Sequence, residues 1–158
     1  MPIEIVKGAD ISEVQRQLSK MLHESIPDQS VRALAEQVAG YSKDKIGAIF
    51  DFVHDTFPYS PDPKGWELFV LPIKVVSDYN SGIVRHLDCD DKSLLVSAML
   101  GALGYQTRIV LVDTNGGGQI NHALAEVNSP LGWIYLDTTR DFPLGFLHRS
   151  YENKVVVN

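Results

Sequence analysis

The chain has 158 residues, of which 44% are hydrophobic and 22% are charged, and its net charge is −6. This length predicts one domain over residues 1–158, with a buried core and little room for a long disordered tail. The negative charge and the lack of a Lys/Arg cluster exclude a surface that neutralises nucleic-acid phosphates. The sequence also lacks a signal-peptide pattern and a run of transmembrane length, so we expect a cytoplasmic protein that binds neither nucleic acid nor membrane.

The single cysteine, Cys89, restricts the chemistry that the chain can carry. One cysteine excludes an internal disulfide and any multi-cysteine zinc or iron–sulfur site. A lone cysteine with histidines elsewhere is the composition of a thiol enzyme, although many free cysteines are inert core residues. The sequence around Cys89 therefore has to distinguish a nucleophile from a buried thiol.

The first third of the chain predicts helices. Apolar residues recur at helical spacing after the capping residue Asp10 and stop before Pro27. A second helical pattern ends at Gly40, and a third begins at Ser42 and ends near Phe57. The following apolar segment, residues 66–79, fits a helix and a strand equally well, because short apolar runs do not distinguish the two.

The pattern is clearer from Asp88 onward. Asp88 is a favourable N-cap, and the apolar stripe after it predicts a buried helix that ends at Gly104. Cys89 then lies on the first turn of this helix. Segments rich in β-branched residues predict three strands after it and an edge strand near the end of the chain, over residues 107–112, 122–127, 133–138 and 155–157.

The turn between the second and third of these strands predicts which residues lie opposite each other. If a simple hairpin closes Asn128 opposite Trp133, then Asp137 faces Leu124, and His122 shares the sheet face of Leu124. His122 and Asp137 are then diagonal neighbours at roughly 7 Å between Cα atoms, which lets a carboxylate reach an imidazole. A single bulge would put them on opposite faces, so this prediction depends on the register.

A nucleophilic Cys89 requires a thiolate, and the N-terminal end of a helix stabilises negative charge on its first turn. The carboxylates of Asp88, Asp90 and Asp91 raise the thiol pKa unless they point away, cap the helix or are compensated by protonated His122. An active thiol in this chain therefore requires a cysteine–imidazolium pair. A carboxylate that orients the imidazole and stabilises its cation completes such a site.

Three short motifs follow one another in the chain: DCDD at residues 88–91, NHA at residues 121–123 and LDTT at residues 136–139. Together they resemble the transglutaminase-like superfamily of papain-like thiol enzymes, of the bacterial and phage type, over about residues 46–139. The resemblance implies an α+β papain-like fold in which N-terminal helices precede a central cysteine-bearing helix packed on a small antiparallel β-sheet. It also implies a triad of Cys89 as nucleophile, His122 as base and Asp137 as orienter.

The activity implied by this resemblance is acyl transfer. The thiol attacks an amide carbonyl and forms a thioester that passes to water or to an amine. We expect a cysteine peptidase or amidase that hydrolyses a peptide or side-chain amide, with a crosslinking protein-glutamine transglutaminase as the alternative. A further alternative is a catalytically inactive binding or structural module, such as a phage virion component. The complete triad favours an enzyme whose partner is a protein or peptide substrate.

Two further sets of residues are implied by the resemblance. Tyr59 or Trp66 would donate the second hydrogen bond of an oxyanion hole, beside the backbone N–H of the nucleophile. Calcium-binding thiol proteases of the superfamily use carboxylates next to the nucleophile, which here are Asp88, Asp90 and Asp91. Helix capping and solvation also explain these aspartates, so we expect no cofactor, with calcium as the alternative.

Overall fold

The computed structural model describes residues 3–7, 10–139, 143–145 and 154–158. Within these residues the helices are α1 Ile11–Ser25, α2 Gln29–Ala39, α3 Lys45–Thr56, α4 Pro72–Asn80 and α5 Cys89–Ala102. The strands are β1 Ile3–Lys7, β2 Trp66–Val70, β3 Thr107–Val112, β4 His122–Ser129, β5 Gly132–Leu136 and β6 Lys154–Val157. None of the described helices combines the length and the apolar character that crossing a bilayer requires.

The strands form two antiparallel sheets. β1 pairs with β2, and the larger sheet has the order β5-β4-β3-β6. In the β4–β5 hairpin Asn128 lies opposite Trp133 and Ala125 lies opposite Leu136, so the predicted register is confirmed. Asp137 directly follows the last paired residue of β5. The predicted edge strand is also confirmed, because β6 pairs with β3 at one edge of the sheet.

Helix α5 lies at the centre of the core. Its residues from Asp90 to Leu100 are all buried, which is typical of a helix that is covered on every side. The other four helices contact α5 from one side, and strands β3 and β4 contact it from the other. This is the α+β arrangement that the sequence predicts, and it leaves Cys89 where the helical layer meets the sheet.

Aspartate side chains fix the start of four helices. Asp10, Asp28, Asp44 and Asp88 each occupy an N-cap and accept a backbone N–H of the first turn. The prediction that α3 begins at Ser42 is wrong by a few residues. The hydroxyl of Ser42 accepts the backbone N–H of Asp44 instead, and the Asp44 carboxylate caps the helix.

The segment that the sequence left undecided contains both a strand and a helix. β2 ends at Val70, and α4 begins at Pro72, which is favourable at the first position of a helix. One edge of β2 pairs with β1, a strand that periodicity did not predict. At its other edge carboxylates replace a neighbouring strand, since Asp62 accepts the N–H of Leu68 at 2.7 Å and Asp91 accepts that of Val70 at 2.9 Å.

The core on α5 should dominate the stability of the domain. Leu95 is fully buried on this helix, whereas Leu131 is almost fully exposed in the β4–β5 turn. We expect Leu95→Ala to lower the free energy of unfolding by about 2–5 kcal/mol, because it removes buried methyl groups and leaves a cavity. Urea unfolding measures this difference, and Leu131→Ala is the matched control with a change within about 0.5 kcal/mol. Equal effects of the two substitutions would contradict the placement of α5 in the core.

Candidate active site

A pocket of about 200 Å³ opens where the start of α5 meets the start of β4. Cys89 and His122 both line it, together with Tyr59 from the loop after α3 and Ile11 from α1. Ligand pockets for whole small molecules commonly occupy about 300–1,000 Å³. The space beside the thiol is on the scale of one side chain or a short segment of a substrate.

His122 and Asp137 form a buried pair at one side of this pocket. The Nε2 atom of His122 lies 2.8 Å from the Oδ2 atom of Asp137, and their side chains are only 6% and 2% exposed. The other carboxylate oxygen accepts the backbone N–H of Thr139 at 3.1 Å and its hydroxyl at 2.7 Å. The structure thus brings together the two side chains that the hairpin register predicts to be neighbours.

The surroundings of Asp137 keep its carboxyl ionised. Burial alone would raise its pKa, but the hydrogen bond and the charge of His122, with the bonds from Thr139, lower the pKa below its ordinary value of 3.8. An ionised carboxylate on Nε2 fixes the orientation of the imidazole ring. The Nδ1 atom is then the ring nitrogen on the opposite edge from Asp137.

Cys89 is the first residue of α5, and its side chain is partly exposed in the pocket. Burial by the surrounding protein raises the pKa of the thiol well above its ordinary value, and the charges of Asp90, Asp88 and Asp137 act in the same direction. The backbone N–H of Ala123, next to His122 in the sequence, donates a hydrogen bond to the sulfur and lowers the pKa. A thiolate in this position needs a cationic partner, as the sequence indicates.

The three aspartates beside the thiol have different structural tasks. Asp88 caps α5 by accepting the backbone N–H of Asp91 at 2.9 Å. Asp91 points to β2 and accepts the N–H of Val70. Asp90 is hydrogen-bonded to Glu67. Burial, followed by repulsion between carboxylates, raises the pKa of Asp88 and of Asp90.

A group of carboxylates that could hold a cation shares Asp88 with the three aspartates predicted for calcium. Among the described residues, ligand oxygens of Asp62, Glu67 and Asp88 lie within 4.8 Å of one another. Asp91 is hydrogen-bonded to Asp88 and also accepts the N–H of Val70 on β2. Calcium takes about six to eight oxygen ligands, so these residues match its donor type and supply part of a coordination shell. Calcium binding at the three aspartates of the DCDD motif stays a prediction.

The two candidate oxyanion donors have different positions. Tyr59 lines the pocket, and its segment runs beside Leu87, because Ser60 donates to the Leu87 carbonyl and Leu87 donates to the Pro58 carbonyl, both at 2.9 Å. Trp66 lies at the start of β2 and is not among the described residues that line the pocket. The geometry therefore keeps Tyr59 as a candidate for the second oxyanion donor and does not favour Trp66 in this role.

The β3–β4 loop before His122 is folded around a buried carboxylate. Asp113 accepts the backbone N–H groups of Asn115 at 2.9 Å and of Gly116 at 3.0 Å, and these bonds lower its pKa although burial opposes the shift. The loop returns to the sheet at Asn121, whose N–H donates to the Val112 carbonyl. His122 therefore enters β4 from an ordered connection beside the pocket.

This fold and this site define a papain-like α+β domain with a cysteine and a histidine at one pocket and an aspartate hydrogen-bonded to that histidine. The family model described as the transglutaminase-like superfamily matches residues 32–138. The chain therefore belongs to the transglutaminase-like superfamily. Comparison with curated proteins gives no match.

Two solved structures share the fold. A protein of Cytophaga hutchinsonii named a "putative cysteine protease" is 19% identical, with a TM-score of 0.56 over 90% of this chain and 52% of that one. A protein of Parabacteroides distasonis ATCC 8503 named a "putative protease" is 14% identical, with a TM-score of 0.54 over 78% of this chain and 26% of that one. The chain spans about half and about a quarter of these two proteins, and at such identities the likeness concerns the fold.

Proposed function

We propose that this domain is a cysteine peptidase or amidase that hydrolyses a peptide or side-chain amide through Cys89, His122 and Asp137. The observation that carries the proposal is the buried 2.8 Å contact between His122 and Asp137 at the pocket that also contains the thiol of Cys89. A nucleophile, a base and a group that orients the base are the minimum set for acyl transfer by a thiol. Both structures with a similar fold are named as proteases, which favours hydrolysis.

The reaction begins with a proton transfer within the site. Asp137 holds Nε2, so the Nδ1 atom of His122 accepts the proton of Cys89 and the thiolate attacks the amide carbonyl carbon. The backbone N–H of Cys89, with Tyr59 as the second donor, stabilises the oxyanion. His122 then returns the proton to the leaving amine, and a thioester remains. A water molecule, deprotonated by His122, attacks the thioester and releases the acid and the thiol.

The raised pKa values of the neighbouring carboxyls help this chemistry. Because burial and mutual repulsion raise the pKa of Asp88 and Asp90, these groups hold protons at pH values where free carboxyls are ionised. A neutral carboxyl opposes a nearby thiolate much less than a carboxylate does. The thiolate–imidazolium pair of Cys89 and His122 is the form that we expect to react.

The rate of thiol alkylation tests this proposal without a known substrate. We expect iodoacetamide to label Cys89 rapidly well below the free-thiol pKa of about 8.5, and His122→Ala to abolish the labelling at low pH. The measurement is the second-order rate from about pH 4 to about pH 10, with the labelled residue confirmed by mass spectrometry. His23→Ala, on α1 at an exposed position, is the matched histidine control and keeps the wild-type profile. If the alkylation rate follows an ordinary or raised thiol pKa in every variant, the proposed enzyme activity is contradicted. The remaining hypothesis is then a catalytically inactive binding or structural module.

Hydrolysis and crosslinking differ in the group that accepts the acyl chain. A transglutaminase passes the thioester to a primary amine, whereas a peptidase or amidase passes it to water. Incubation of a glutamine-containing protein with a labelled amine separates the two activities. Release of ammonia or of a peptide without amine incorporation supports hydrolysis, and incorporation that depends on Cys89 supports the crosslinking alternative.

A further inference from the structure

Lys92 is a buried cation one helical turn after Cys89. Only 2% of its surface is exposed, although lysine is almost never fully buried unless it is paired. Its Nζ atom donates to the carbonyl of Phe57 at 2.6 Å and lies 3.4 Å from the carbonyl of His54. The ammonium therefore joins α5 to the end of a different helix.

The two carbonyls belong to the C-terminal end of α3. This helix ends without a glycine cap, because Phe57 is the C-cap in an extended conformation and Pro58 follows it. The last carbonyls of a helix carry the negative end of its dipole, and a cation placed there is favourable. The Lys92 side chain supplies the cap that the sequence after α3 does not.

The chain that follows this cap forms a wall of the pocket. Hydrogen bonds on both sides of Tyr59 fix the segment to Leu87, whose N–H donates to the Pro58 carbonyl and whose carbonyl accepts the Ser60 N–H. Leu87 in turn precedes the N-cap of the helix that begins at Cys89. The hydrogen bonds at Leu87 and the Lys92 ammonium contact thus connect the end of α3 at two points to the segment that contains Cys89.

We propose that Lys92 is a positioning residue of the acyl-transfer site: its buried ammonium fixes the end of α3, and with it Tyr59, against the helix that carries Cys89. The inference rests on the proposed function, and it adds a residue that lies outside the triad and outside the pocket lining. A second consequence follows from the charge. The Lys92 ammonium interacts with the Asp137 carboxylate, whose charge raises the pKa of the Cys89 thiol, so loss of the cation should raise that pKa further.

The charge of Lys92 persists under the conditions in which the site would act. Burial lowers the pKa of Lys92 to about 8, and the charges of Asp137 and Asp55 oppose that shift. The ammonium is therefore the main form at neutral pH. Asp137 is the carboxylate that holds His122, so the cation and the His122–Asp137 pair share one electrostatic environment.

The test compares Lys92→Met with Leu100→Ala, a fully buried position on the same helix outside the pocket lining. Met keeps the apolar stem of the lysine but has neither its charge nor its N–H donors. We expect hydrogen exchange at the amides of Ser60 and Leu87 to accelerate at least about tenfold. We also expect the alkylation midpoint of Cys89 to rise by about half a pH unit or more. The control should lose stability and retain the wild-type midpoint.

Each outcome decides the inference. A wild type without an activated thiol overturns the proposed function and this inference together, whereas an active wild type with an unchanged midpoint in Lys92→Met overturns the inference alone. Equal changes in Leu100→Ala overturn it as well, because general loosening would then explain them. If Lys92→Met does not fold, Lys92→Gln keeps an N–H donor without the charge and should still shift the midpoint. If neither variant folds, Lys92 is required for folding and not specifically for the site, which also overturns the inference.

Discussion

Cys89→Ala should abolish turnover of an amide substrate and leave the domain folded. Without the thiol no thioester forms, and we expect kcat to fall at least about a thousandfold. The fold should persist, because Cys89 is partly exposed at the first position of α5, alanine is a favourable helix residue, and the Asp88 cap remains. The measurements are initial rates on a panel of peptide amides and a thermal melt of both proteins.

The covalent intermediate gives this prediction a direct readout. Acid quenching during turnover should show, by intact-protein mass spectrometry, an acyl group on the wild type and none on Cys89→Ala. Cys89→Ser is the matched control, because it keeps a smaller nucleophile of similar shape and should retain weak turnover at most. Full turnover in Cys89→Ala would contradict a thiol mechanism, and the absence of turnover in the wild type across the panel would favour a binding module.

Local sequence patterns were sufficient where a site residue depends on its neighbours in the chain. Cys89 opens a helix because Asp88 is a strong N-cap and apolar residues fill the following turns. The approach of His122 to Asp137 follows from one short turn, because the period of a strand is two and the hairpin contains no bulge between the paired residues. The position of Cys89 at a helix start and the approach of His122 to Asp137 could therefore be predicted from local patterns, whereas the papain-like fold and the triad roles came from the resemblance of the three motifs to a family.

Residues that meet only through tertiary packing could not be predicted in this way. Asp62 lies in a loop rich in proline, and no periodic pattern relates it to Glu67 and Asp88. In the sequence, Lys92 resembles an ordinary polar residue near the start of a helix. Only the packing of α3 on α5 buries it. Strand β1 was missed for the same reason, since its partner β2 is distant in the chain.

Asp137→Ala should cause the second largest loss of activity, by about a hundredfold to ten-thousandfold in kcat. The substitution removes the acceptor for His122 Nε2 and leaves the N–H and hydroxyl of Thr139 without their carboxylate. The imidazole then loses its orientation and the charge that stabilises its cation. Loss of buried hydrogen bonds should also destabilise the domain by about 1–3 kcal/mol, which urea unfolding at neutral pH measures.

Asp137→Asn separates the charge of the orienter from its hydrogen bond. Asparagine can accept from His122 in the same place, so we expect an intermediate kcat and an alkylation midpoint that moves to higher pH, because the imidazolium is less stable beside a neutral amide. Equal activity of the Asn variant and the wild type would show that orientation alone suffices. Equal activity of the Ala variant and the wild type would remove Asp137 from the site.

The same carboxylate should make stability depend on pH in a defined direction. The folded-state pKa of Asp137 lies below its ordinary value of 3.8, so the unfolded chain binds a proton more readily than the folded domain does. Its contribution to stability is therefore fully present above that ordinary value and is lost as the pH falls through the lower folded-state pKa. Urea unfolding of the wild type and of Asp137→Asn, measured from neutral pH to below this range, should show a shallower decline in the variant. Parallel declines in the two proteins would mean that the His122–Asp137 contact does not stabilise the carboxylate, and the thiol would then lack the preorganised imidazolium on which the proposed mechanism depends.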